Sequence, residues 1–87
     1  MHIKDQFLLR EIAGEYVIIP TGDTFLRFNG MMAMNEVGVF MWNCLQKDHT
    51  EESLLQAVLD EYDVDEETAI ADVKLFVDTL MSHGILE

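Results

Sequence analysis

The sequence predicts an α+β domain, a small N-terminal sheet followed by three helices. Three observations carry this. Strand-forming runs concentrate before residue 35, helical periodicity takes over after it, and turn or capping residues stand at the junctions.

Phe7 to Ile12 is short and apolar-rich, and it ends at Ala13-Gly14. Glu15 to Ile19 carries β-branched and aromatic residues that suit a pleated surface. Pro20 has no N–H to donate and is expected to stop the ladder. Thr21-Gly22-Asp23 is a turn signal, and Phe25 to Phe28 fits either a strand or a loop. Asn29-Gly30 is a second turn, followed by Met31-Met32-Ala33-Met34. In isolation that run also fits a helix start; its flanking turn and cap favour a strand.

Asn35 is placed to cap the first helix. Val37, Phe40, Met41, Cys44 and Leu45 then fall on one apolar stripe. Trp42 lies beside that stripe and is assigned to the core margin. After the polar break Lys47-Asp48-His49, Thr50 caps the second helix, with Glu51 and Glu52 near its positive end. Its stripe is Leu54, Leu55, Val58, Leu59 and Tyr62. Asp65 caps the third helix, whose stripe is Ala69, Ile70, Val73, Phe76, Val77, Leu80 and Met81. Gly84 is its expected stop.

The third stripe is broad. Phe76 and Ile70 lie about 120° apart on a helical wheel. Either the whole face is core, or one margin lines a groove. Leu75 lies well away from it.

At 87 residues the chain is expected to form one domain, 1–87, with one modest core and few residues left for the walls of a catalytic pocket. The net charge is −12, with only Lys4, Arg10, Arg27, Lys47 and Lys74 as cations. Phosphate backbones and anionic membranes are bound through clustered Lys and Arg, so both are poor partners. A basic or apolar partner is easier to reconcile, although charge alone also keeps a small domain soluble. The N-terminus lacks the apolar stretch of a signal peptide, and the expected location is the cytoplasm.

The residues offer no metal or catalytic constellation. There is no Cys-x-x-Cys pair and no His pair at ligand spacing. His2, His49 and His83 read as surface residues. A calcium loop starting at Asp63 needs Gly where Thr68 stands and Glu where Lys74 stands. The acidic run reads instead as a capped helix start. Cys44 sits on an apolar stripe and reads as core, not nucleophile. No phosphate-cradling glycine loop is present, and no cofactor is implied. Two non-enzymatic readings remain open from the residues alone. One is a peptide-binding module. The other is a winged-helix regulator or structural partner domain, since a small sheet on a helical trio is also the winged-helix layout.

A run of segments resembles the PqqD family of pyrroloquinoline-quinone biosynthesis and its relatives, the precursor-peptide recognition elements. The segments are Gly30 to Glu36, Phe40-Met41-Trp42-Asn43-Cys44-Leu45, His49-Thr50-Glu51-Glu52, Glu61-Tyr62-Asp63-Val64-Asp65 and Leu80 to Leu86. Each is short; their succession covers about Gln6 to Leu86. Met34 departs from the family's usual Leu, and Thr21 to Asn29 leaves room for an extra hairpin.

The resemblance implies a winged-helix-like domain, three antiparallel strands packed on three helices, without catalytic activity. It implies a peptide chaperone for the leader of a ribosomally made precursor, delivering it to a partner, often a radical S-adenosylmethionine enzyme. The leader adds to the third strand and packs against the third helix. That points to Met31, Met32, Ala33 and Met34 on the acceptor strand, with Met32 and Met34 assigned to the core side. On the helix it points to Ala69, Val73 and Phe76 as groove wall, and Asp72 as a lure for Lys or Arg. An exposed edge also permits strand exchange, so monomer and homodimer are both compatible.

Overall fold

The computed structural model describes residues 1–21 and 32–87. Among the described residues, three strands precede three helices: β1 (Phe7–Ile12), β2 (Glu15–Pro20), β3 (Met32–Met34), α1 (Glu36–Cys44), α2 (Glu51–Glu61) and α3 (Glu66–Ser82). The possible strand at Phe25 to Phe28 and the residue Met31 lie outside the described residues.

The sheet is antiparallel, in the order β1-β2-β3. A two-residue turn joins β1 to β2, pairing Ile12 with Glu15. Both turn residues have positive φ, 53° at Ala13 and 82° at Gly14. That is the mirror-image turn whose twist matches the flanking strands; Gly takes it freely and Ala at some cost. Pro20 ends the ladder as expected. It is the last residue of β2, buried and paired with Phe7. A missing donor is tolerated at a strand end.

The three caps stand where the sequence put them. Asn35 Oδ1 accepts from Gly38 N–H at 2.8 Å. Thr50 Oγ1 accepts from Ser53 N–H at 3.0 Å, and Ser53 Oγ returns the bond from Thr50 N–H at 2.9 Å. Asp65 accepts from the Thr68 hydroxyl and the Thr68 N–H, which together hold its carboxyl below the ordinary value. Gly84, at φ 70°, closes α3. Gly84 N–H donates to Met81 C=O at 3.0 Å and Ile85 N–H to Leu80 C=O at 2.9 Å. This Schellman pattern satisfies two orphan carbonyls and seats Ile85 against Leu80, both buried.

The core lies between the inner sheet face and the three helices. Ile18, Leu45, Leu54, Val73, Leu80 and Ile85 are its most enclosed side chains. Trp42, 3% exposed, belongs to the core proper. Phe40 and Tyr62 meet edge to face, with ring centroids 5.4 Å apart, where α1 meets the end of α2. The two ends of the described chain close the core from below. Ile3 bridges Leu86, and His2 and Glu87 exchange backbone bonds of 2.9 and 3.0 Å.

Candidate functional site

β3 ends the sheet. It pairs with β2 through Tyr16↔Met34, Val17↔Ala33 and Ile18↔Met32. Among the described residues no strand pairs with its other edge. Backbone groups alternate in direction along a strand, so at least one N–H and C=O pair of β3 points away from β2. Only three residues long, β3 is bounded by the Asn35 cap, which turns the chain at once into α1.

A groove of about 290 Å³ runs from this edge to α3. Met34 and Ala33 form its strand side, and Val37, Gly38 and Met41 of α1 form its floor. Leu75, Phe76 and Leu80 of α3 form the apolar far wall, with Asp72 and Thr79 along the rim. Gly38 is buried here, and the Phe76 ring approaches it closely: a Cβ on Gly38 would stand 3.5 Å from Phe76 Cε1.

A second recess shares Ala33, Met34 and Asn35 with the first and continues to Gly14, Glu15, Tyr16 and Glu36. A hydrogen bond to Glu11, the Glu11 charge, partial burial and the Glu36 charge push the Tyr16 phenol above its ordinary value. Carboxylates therefore gather at that end of the strand.

The expected site residues separate in the structure. Ala33 is exposed on β3, Met34 is half-buried against the core, and Asp72 and Phe76 line the groove. Met32 lies on β3 opposite Ile18. Met31 is outside the described residues. Ala69 and Val73, expected as groove wall, face the core at 1% and 2% exposure and do not line the groove. Val73 instead reaches a smaller recess between α2 and α3, with Leu55, Ile70 and Lys74. The helical-wheel margin facing β3 is the one through Asp72, Phe76 and Thr79, which carries Leu75 with it.

Leu75 is the residue sequence reasoning set aside. It stands 69% exposed, yet it lines the groove. An apolar residue far from its helix's core stripe was the available signal. Gly38, Val37 and Thr79 had no such signal.

The groups present suit contact more than chemistry. Among the described residues no cluster of three potential ligands gathers to hold a metal. The half-buried Cys44 thiol is pushed up, first by burial and then by Glu61. That disfavours the thiolate a nucleophile requires.

An edge that no described strand covers, beside an apolar groove, is the geometry of domains that bind extended segments. The chain belongs to the PqqD family: the family model, described as coenzyme PQQ synthesis protein D, matches residues 15–86. It is similar in structure to TbiB1, solved in complex with the TbiA(beta) leader peptide. That match has 26% identity and a TM-score of 0.75, over 100% of this chain and 95% of that one. It also resembles lasso peptide synthetase B1 complexed with the leader peptide, at 17% identity and a TM-score of 0.71, over 97% and 93% of the two chains. The second likeness speaks to fold alone. No curated protein matches the sequence.

Proposed function

We propose that this chain is a non-catalytic peptide chaperone that binds the leader of a ribosomally synthesised precursor by strand addition and presents it to a modifying enzyme. The edge of β3 that no described strand covers, bordered by the groove to Leu75 and Phe76, carries this reading. An extended leader along that edge satisfies the outward backbone groups, each bond contributing a net of about 0.5–1.5 kcal/mol. With so few bonds on a three-residue strand, side-chain burial in the groove must supply most of the affinity. Met34 suits this role, because a thioether side chain adapts to irregular partners.

The 26% identity to TbiB1 over the whole chain supports a leader peptide as occupant. The partner enzyme we propose, a radical S-adenosylmethionine maturase, rests on the family resemblance alone. The DNA-binding reading has little support: the formal charge is −12, and among the described residues no Lys, Arg or His lines either recess.

Ala33→Pro tests the proposal. Pro removes the N–H of the middle residue of a three-residue strand and places its ring against a neighbour. Calorimetric titration against the precursor should show binding abolished while circular dichroism shows the helices retained. Unchanged affinity in the folded variant excludes β3 as acceptor.

A further inference from the structure

We propose that the leader this groove takes is cationic, carrying Lys or Arg on both sides of the apolar residue that enters between α1 and α3, and that Asp72 and Glu36 select for that charge. The inference rests on the strand-addition reading above.

The two recesses meet at Ala33, Met34 and Asn35, so a segment anchored in the groove lies beside both. On one side stands Asp72; on the other stand Glu15 and Glu36. Among the described residues, no cation lines either recess, and neither Asp72 nor Glu36 has an ion-pair partner. Lys74, the cation of α3, lines the recess toward α2 instead and lies 4.0 Å from Asp78. The positive end of α1 is already answered by the Asn35 side chain and by Glu36 in its first turn.

An acidic leader would therefore meet like charge on both sides of Ala33, Met34 and Asn35. A neutral one would leave them unpaired. A basic one meets opposite charge on each side of its anchor. β3 spans three residues, so the cations fall within about two positions of the anchor. The site faces solvent, which limits each pair to about a threefold gain in affinity and makes that gain salt-sensitive.

The test begins with a display library of random twelve-residue peptides, selected on the full chain at low salt and counter-selected on Ala33→Pro. Enriched peptides are expected to carry Lys or Arg on both sides of a bulky apolar residue. A resynthesised winner should bind about threefold more weakly to Asp72→Asn and to Glu36→Gln, and about tenfold more weakly to the double variant. Asp60→Asn, on α2 outside the groove, should change nothing. Selection on Asp72→Lys should shift enrichment toward acidic peptides. Circular dichroism confirms that each variant is folded.

Ala33-dependent peptides without cation enrichment, or without response to Asp72→Asn and Glu36→Gln, overturn the inference and leave strand addition standing. An equal loss in Asp60→Asn reduces the effect to general charge attraction and also overturns it. If no selected peptide depends on Ala33, this inference and the strand-addition reading fall together.

Discussion

A methyl group at Gly38 would stand 3.0 Å from Met34 Cγ, 3.2 Å from Asn35 Oδ1 and 3.5 Å from Phe76 Cε1. The glycine lets the strand end, the helix cap and the α3 ring meet around one backbone position. Gly38→Ala brings two opposed effects. Alanine favours the helix by about 0.5–1 kcal/mol. Crowding forces Met34 and the Asn35 cap oxygen to give by a few tenths of an ångström, and the open side available to Met34 is the groove. Thermal unfolding should shift little, because the two effects offset. Leader affinity should fall about tenfold, the loss of roughly 1.4 kcal/mol of apolar burial. A variant that unfolds much earlier, or that binds as well as before, would contradict this account of the groove floor.

α3 shows how one helix serves two surfaces. Its centre line, Ala69, Val73, Val77 and Leu80, is core, at 1–5% exposure. Its β3-facing margin carries Asp72, Leu75, Phe76 and Thr79. Its opposite margin leaves Ile70 and Met81 46% and 48% exposed. Leu80 and Leu75 both reach the groove, yet they differ in burial, at 1% and 69% exposure. Truncation should separate their roles. Leu80→Ala should cost about 2–5 kcal/mol in chemical denaturation, because it opens a cavity in the core. Leu75→Ala should leave the denaturation midpoint within about 0.5 kcal/mol, since its side chain is mostly in water. Leu75→Ala should nevertheless weaken leader binding in the same titration that reports on Ala33→Pro.

For the whole molecule the governing quantity is a net charge of −12 on 87 residues. Like charges at this density repel and oppose the compact state. Ion pairing relieves little of this. Among the described residues the pairs are those of the Met1 amine, His2 and Lys74, and Lys74 meets Asp78 only at 4.0 Å. Added salt should therefore stabilise the fold while it weakens capture of a basic segment. The melting temperature should rise between about 10 mM and 500 mM NaCl, where the Debye length shrinks from about 30 Å to a few Å. A melting temperature that falls over this range would mean that attractive pairs outweigh the self-repulsion.

The element order, the caps at Asn35, Thr50 and Asp65, and the stop at Gly84 were legible in the sequence. Each depends on interactions within a few residues of itself, so local chemistry suffices. The two strand runs on either side of Ala13-Gly14 were legible for the same reason. The composition of the groove was legible only in part. Met34, Asp72 and Phe76 were singled out, but Ala69 and Val73 went to the core and Leu75 came to the groove wall. Periodicity identifies the apolar stripe of α3, but it does not say which margin faces β3. That follows from how the sheet and α1 pack against the helix, a matter of long-range contact. For the same reason Gly38 carried no signal in the sequence: its role appears only once Met34 and Phe76, far apart in the chain, come to lie on either side of it.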